Sequence, residues 1–108
     1  MSDLFLLSVN ELSENISSRK ISPVDLYNTF TQRIEKFDSK LNCFIEVFDD
    51  WKNKAEIAEK EIFDGKIRGP LHGIPIAVKD LINVKGKVTT AGSKILINNQ
   101  ANESAVII

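Results

Sequence analysis

Lys79 is the only basic residue in the apolar stretch Gly-Ile-Pro-Ile-Ala-Val-Lys-Asp-Leu-Ile at residues 73–82. A lysine amine can accept a proton in catalysis, but only while it is uncharged. The ordinary pKa of such an amine is about 10.4, so burial in an apolar pocket is the expected means of keeping it neutral near pH 7. The isoleucine, valine and leucine side chains around Lys79 are suitable walls for that pocket. One interpretation of the segment is therefore a shielded amine that works as a base.

A structural role for Lys79 is the alternative. Lysines at strand ends commonly lay the aliphatic stem on apolar surface and keep the ammonium in water. The neighbouring Asp80 does not decide the matter, because successive strand residues point to opposite faces of a sheet. On the local sequence alone the structural role is the commoner one, since lysines with perturbed titration are rare.

Other residues with catalytic or ligating chemistry are few. The chain has one cysteine, Cys43, and one histidine, His72, which cannot supply the usual zinc ligand set. A thiolate–imidazole pair of the two is conceivable. However, Cys43 lies in the apolar run Cys-Phe-Ile, where cysteine usually acts as a small hydrophobe. We predict no metal and no cofactor.

The composition of the 108 residues is that of an ordinary globular protein, with 43% hydrophobic and 27% charged residues. The 14 basic and 15 acidic residues form no basic cluster, which argues against direct nucleic-acid binding. No stretch approaches the ~20 apolar residues of a membrane span. Because the start has no signal-peptide pattern and the chain has a single cysteine, we expect a cytoplasmic location.

The glycines divide the chain into two parts. All five lie between positions 65 and 92, and residues 1–64 contain none. Glycine and proline are the strongest punctuators of local structure. The pattern therefore predicts a helical part over residues 1–64 and a strand-and-loop part over residues 65–108.

Three helices are predicted in the helical part from their capping residues. Ser8 and Glu11 form a capping-box pattern. Ser22 suits the N-cap of the second helix, with Pro23 at its first position. The third helix begins near the aspartate pair before Trp51 and ends before Gly65. Apolar residues at helical spacing should face the core: Val9, Leu12 and Ile16; Val24, Tyr27, Phe30, Ile34 and Phe37; Trp51, Ala55, Ala58 and Ile62.

The strand-and-loop part is predicted from shorter signals. Residues 74–78 are expected to form a buried strand, and Ser93 to cap a short helix over residues 94–97. Residues 42–48, between the second and third helices, are expected to form a short strand or an extended segment. Residues 104–108 resemble the start of a further helix. Since an apolar terminus is unusual for a finished domain, we expect a fragment of a longer protein.

Two motifs carry a family resemblance. Gly-Pro-Leu-His-Gly-Ile-Pro-Ile-Ala-Val-Lys-Asp at residues 69–80 and Thr-Thr-Ala-Gly-Ser at residues 89–93 together resemble the amidase signature family. The resemblance implies an α/β fold with a large mixed sheet flanked by helices. Residues 1–108 would then be the N-terminal fragment of one amidase domain, an incomplete domain that supplies its N-terminal helices and first strands.

The resemblance also implies a mechanism, since the family uses a Ser–cis-Ser–Lys triad and its lysine falls at Lys79. The neutral amine would take a proton through the bridging serine and so activate the nucleophilic serine, which attacks a carboxamide. The Gly/Ser-rich segment that carries both serines in the family is absent from these residues. Ser93 and Ser104 lie in no such segment and receive no catalytic role. The chain alone is therefore predicted to be inactive.

Three functions stay open at this point. The first is the N-terminal portion of an amidase that acts on a small-molecule amide. The second is the glutaminase, or A-type, subunit of a tRNA-dependent amidotransferase, in which ammonia passes to another polypeptide of the complex. The third is a non-catalytic helical interaction fragment. The expected partners are a small-molecule amide and either a second copy of the chain or amidotransferase subunits, with no direct contact to nucleic acid and no membrane.

Overall fold

The computed structural model describes residues 3–108 and forms two compact units. The first unit ends at Pro75, and the second comprises Ile76–Ile108. The first unit contains a 3₁₀ turn at Leu4–Leu6 and then α1 at Val9–Ser17, α2 at Pro23–Leu41 and α3 at Trp51–Phe63. The second unit is built from turns and contains one 3₁₀ turn, Lys94–Leu96. None of the helices in the described part has the length and apolar character that a bilayer span requires.

Reciprocal capping boxes fix the starts of α1 and α2. The Ser8 amide donates to Glu11 Oε2 at 2.7 Å, and the Glu11 amide donates to Ser8 Oγ at 3.2 Å. The Ser22 amide donates to Asp25 Oδ2 at 2.9 Å, and the Asp25 amide to Ser22 Oγ at 3.2 Å. Both predicted helix starts are confirmed. Asp25 also closes the second capping box, which satisfies one more free amide at the helix start.

The ends of α2 and α3 use left-handed residues. Asn42 follows α2 with φ 51°, and Gly65 follows the C-cap of α3 with φ 77°. The Gly65 amide donates to the Ile62 carbonyl at 3.0 Å. Glycine adopts this conformation without steric cost, which is why it suits the position after a helix end. The predicted end of the third helix before Gly65 is confirmed.

The core of the first unit is a small cluster of aliphatic side chains centred on Leu26. Leu26 is the most enclosed residue, with 0% exposure. Around it lie the buried residues Leu4, Leu12, Ile16, Ile21 and Ile62 and the partly buried Leu7, Phe30 and Ile74. The core therefore joins all three helices to the segment that enters the lysine motif.

The predicted core face of α2 is only partly correct: Phe30 packs against the core as expected, but the stripe omits the most buried residue of the helix. Leu26 lies outside the predicted stripe, whereas Phe37, at its end, is exposed. Tyr27 packs against Trp51 of α3 instead, with ring centroids 4.5 Å apart. α2 is thus apolar on two adjacent sides, and spacing alone cannot tell which side meets the core. In α1, Leu12 and Ile16 are buried as predicted, while Val9 is exposed.

The predicted strand over residues 74–78 is not found among the described residues. Within residues 3–108, β-pairing is limited to one antiparallel bridge, between Val88 and Gln100. A strand requires a neighbouring strand to pair its amides and carbonyls, and residues 74–78 have none. The mixed sheet is therefore not confirmed. Residues 42–48 contain no strand, and residues 104–108 form a turn in place of the predicted helix start.

Candidate functional site

Lys79 lies in the second unit with an exposed side chain. Its backbone carbonyl accepts a hydrogen bond from the Ile82 amide at 3.0 Å. Ile76 and Leu81, which were expected to wall an apolar pocket, are 70% and 58% exposed. These residues alone do not provide the shielding that a neutral amine needs, so the predicted burial of Lys79 is not found in this chain. Its catalytic role stays a prediction.

The residue after Lys79 links the two family motifs. Asp80 Oδ1 accepts a hydrogen bond from the Thr90 amide at 3.0 Å, and Oδ2 accepts one from the Thr90 hydroxyl. The backbone carbonyl of Asp80 accepts a third from the Ala91 amide at 2.8 Å. The Thr90 hydroxyl first, and then the Thr90 amide, hold the pKa of the Asp80 carboxyl below its usual range. The carboxylate is therefore favoured at neutral pH.

The Thr-Thr-Ala-Gly-Ser segment is similar in composition to a glycine-containing anion-binding loop, but its backbone amides already donate hydrogen bonds within the chain. The Thr90 and Ala91 amides donate to Asp80, as above. The Gly92 amide donates to Thr90 Oγ1 at 3.3 Å, and the Ser93 amide donates to the Thr90 carbonyl at 2.8 Å. An oxyanion hole requires amides that point at the ligand. The segment therefore acts as a clamp on Asp80 and leaves no free backbone amide for an oxyanion between Thr90 and Ser93.

Two left-handed residues shape this clamp. Ala91 has φ 49° and Gly92 has φ 73°. The first is unusual, because a residue with a Cβ atom meets steric crowding in this region. Thr89, two residues before Ala91, is buried. The Thr89 amide donates to the Asn99 carbonyl at 3.0 Å, and Asn99 Nδ2 donates to the Thr89 carbonyl at 2.9 Å.

Both serines near the motif accept a hydrogen bond from a backbone amide. Ser93 Oγ accepts from the Ile95 amide at 3.3 Å and caps the 3₁₀ turn Lys94–Leu96. This confirms its predicted capping role. Ser104 Oγ accepts from the Lys85 amide at 2.9 Å. Ser104 thus closes a loop within the second unit and does not cap a helix.

His72, in the first unit, is held inside a polar cluster that spacing alone did not indicate. Its side chain is 4% exposed, and Nε2 lies 2.8 Å from Glu61 Oε2. Nδ1 accepts from the Arg68 amide at 3.0 Å, and the Arg68 guanidinium lies 3.1 Å from the same Glu61 oxygen. Because both ring nitrogens face these partners and Cys43 is an exposed free thiol, the conceivable cysteine–histidine pair is not formed.

Metal-ligand geometry is absent from residues 3–108. In this part of the chain we find no group of three or more histidine, cysteine, aspartate or glutamate side chains that could hold a metal ion.

The chain matches a known protein family over most of its length. The family model described as Amidase matches residues 25–108, which include both the lysine motif and the Thr-Thr-Ala-Gly-Ser segment.

Curated relatives are similar to the chain over nearly all of it. The A subunit of the glutamyl-tRNA(Gln) amidotransferase of Moraxella catarrhalis is 38% identical across 100% of this chain and 22% of the relative. The A subunit of the same enzyme from Aromatoleum aromaticum is 43% identical, covering 84% of this chain and 19% of the relative. The chain therefore spans about a fifth of the length of these relatives.

A solved structure is similar as well. The native peptide amidase from Stenotrophomonas maltophilia superimposes with a TM-score of 0.84 and 33% identity, covering 91% of this chain and 20% of that one. The fold of the described residues is thus that of the corresponding fifth of a peptide amidase, although the sheet itself is not formed here.

Proposed function

The chain belongs to the amidase family, and we propose that it is the N-terminal part of an enzyme that cleaves a carboxamide by acyl transfer, with Lys79 as the base. One observation carries the proposal. The family match covers the lysine motif and the Thr-Thr-Ala-Gly-Ser segment, and these two motifs are hydrogen-bonded to each other through Asp80. The proposal keeps the division into a helical part, 1–64, and a motif-bearing part, 65–108.

The proposed reaction moves one proton towards Lys79 and returns it. The uncharged amine takes a proton from the bridging serine as that serine takes one from the nucleophilic serine. The nucleophilic oxygen bonds to the carboxamide carbon, the carbon–nitrogen bond breaks, and the departing nitrogen receives the proton. In the second step the amine accepts a proton from water through the bridging serine, the water oxygen bonds to the acyl carbon, and the ester carbon–oxygen bond breaks. The departing serine oxygen receives that proton, and the acid is released. Both serines would come from a Gly/Ser-rich segment outside these residues, so the chain alone should be inactive.

The remainder of such an enzyme would also have to shield Lys79. We propose that residues 74–78 join a mixed sheet when the other strands are present. The exposure of Ile76 and Leu81 supports this, since large apolar side chains next to an unpaired extended segment favour association with further strands. The sheet would then cover the apolar residues beside Lys79 and keep its amine uncharged.

A second candidate is the glutaminase subunit of a tRNA-dependent amidotransferase. Relatives named as amidotransferase subunits are 38% and 43% identical, whereas the peptide amidase is 33% identical. In this case the substrate would be glutamine, the ammonia would pass to another polypeptide, and the partners would be amidotransferase subunits. For the first candidate a second copy of the chain is the protein partner to test. Either enzyme would work in the cytoplasm.

The test uses the full-length gene product and measures ammonia release from glutamine and from simple carboxamides. Lys79→Ala should lower turnover by about 10²–10⁴-fold, the usual contribution of a general base. Lys79→Arg should fail as well, because a guanidinium does not lose its proton. Lys85→Ala is the matched control and should keep full turnover, because Lys85 is also an exposed lysine but lies outside both family motifs.

The outcomes separate the candidates. Turnover of simple amides supports the amidase, and glutamine use that depends on added partner subunits supports the amidotransferase. Unchanged turnover in Lys79→Ala would overturn the proposed mechanism. A full-length product that releases no ammonia from any amide, alone or with partner subunits, would favour the non-catalytic interaction fragment.

A further inference from the structure

We propose that Asp80 is a positioning residue, which fixes the backbone that carries Lys79 through its hydrogen bonds to Thr90. This inference rests on the proposed function of Lys79 as the base. The proposed function assigns the base, and the role of Asp80 is to hold the backbone of that base in place.

The backbone around Lys79 is fixed from two directions. The Lys79 carbonyl accepts from the Ile82 amide at 3.0 Å, and the next carbonyl, that of Asp80, accepts from the Ala91 amide at 2.8 Å. Two consecutive peptide groups are thereby held, and they set the direction in which the Lys79 side chain leaves the chain. A base that is displaced by about 1 Å can lose about 10²-fold in rate, so such a constraint matters for catalysis.

The Asp80 side chain ties this backbone to a segment ten residues away. Its two oxygens accept the Thr90 amide and the Thr90 hydroxyl. No ion pair joins Lys79 to Asp80 among residues 3–108. The carboxylate is thus engaged by Thr90, and Asp80 acts on Lys79 through the chain and not through charge pairing. A direct ion pair would instead favour the protonated amine, which cannot serve as a base.

The clamp is held in a costly backbone conformation. Ala91 and Gly92 both have positive φ, and for Ala91 this conformation is unfavourable. It places the Ala91 amide on the Asp80 carbonyl and the Gly92 amide on the Thr90 hydroxyl. Such outliers persist where surrounding bonds determine them, and they often cluster at functional sites. Here the bonds concerned converge on Asp80 and Thr90.

The experiment uses the full-length enzyme and changes Thr90, which does not touch the amine. Thr90→Val removes the hydroxyl donor at nearly constant volume, and Thr90→Ser restores it. We expect Thr90→Val to lower kcat by about 10–100-fold with KM changed less than about threefold. Thr90→Ser should recover at least about a third of the original kcat. Asp80→Asn should behave like Thr90→Val, because an amide keeps only one acceptor oxygen.

A double-mutant cycle separates positioning from general destabilisation. If Asp80 and Thr90 act through Lys79, then Thr90→Val should reduce the residual rate of Lys79→Ala by less than about twofold. An unchanged kcat in Thr90→Val and Asp80→Asn, or the same loss with and without Lys79, would overturn the inference. If Lys79→Ala itself keeps full turnover, the proposed function fails instead. If Thr90→Val does not fold, the kcat values of Asp80→Asn and Thr90→Ser test the inference.

Discussion

Thr90 donates both its amide and its hydroxyl to the carboxylate of Asp80, ten residues earlier in the chain. Within the second unit, this pair joins the end of the lysine motif to the start of the Thr-Ala-Gly-Ser turn. The first motif carries the candidate base, and the second is hydrogen-bonded to the residue that follows it.

The hydrogen bonds between Asp80 and Thr90 should be lost in acid, when the Asp80 carboxylate is protonated. Its hydrogen bonds favour the carboxylate and lower the Asp80 pKa, so their contribution to stability is complete above the ordinary aspartate pKa of about 3.9. It is lost as the pH falls through the lowered pKa. Removing the Thr90 hydroxyl in Thr90→Val should raise the Asp80 pKa towards its ordinary value. Carboxyl-carbon NMR titration measures this directly, and Thr90→Ser is the control that should leave the pKa low. The same Asp80 pKa in the unmodified protein, Thr90→Val and Thr90→Ser would contradict these hydrogen bonds.

Gly73 should tolerate no side chain. Its φ is +85°, and a Cβ atom there would lie 2.6 Å from Pro23 Cγ and 3.1 Å from Ile62 Cδ1. Gly73→Ala combines left-handed strain with overpacking and should lower the free energy of unfolding by at least about 2 kcal/mol. Gly69→Ala is the matched control, because a Cβ at Gly69 meets nothing within 4 Å. Urea denaturation of both variants provides the comparison, and equal midpoints would refute the close approach.

Replacing alanine by glycine should have opposite effects on stability at two positions. Ala91 has φ 49°, so Ala91→Gly relieves crowding and should stabilise the clamp by roughly 0.5–1 kcal/mol. Ala55 lies inside α3, where glycine should cost about 1 kcal/mol through lost helix propensity. Hydrogen exchange of the amides in each region measures the two effects separately. Faster exchange at Thr90–Ser93 in Ala91→Gly would argue against a left-handed Ala91.

The capping box of α2 should contribute measurably to stability. Ser22→Ala removes the acceptor of the Asp25 amide and should cost about 1 kcal/mol. Ser39→Ala changes the same residue type at an exposed position in the last turn of α2, where alanine is the better helix former, and should cost nothing. Thermal unfolding followed by circular dichroism compares the two. Equal losses would mean that the N-cap of α2 has no special role.

The sequence by itself determined the helix starts, the short Ser93 cap and the family of the chain. Caps such as Ser8–Glu11 and Ser22–Asp25 are bonds across three residues, and so their patterns are readable from local sequence. The lysine motif and the Thr-Thr-Ala-Gly-Ser segment are likewise contiguous.

Only the tertiary structure decided which apolar residues form the core and what the motif residues touch. Leu26, and not the predicted stripe, is the centre of the core, because α2 is apolar on two sides and its neighbours select one. The His72 cluster and the Asp80–Thr90 link join residues distant in the sequence, and no local spacing specifies such contacts. Residues 74–78 have strand character but no strand, because a β-ladder exists only between two segments and no segment of residues 3–108 forms β-pairing with this one.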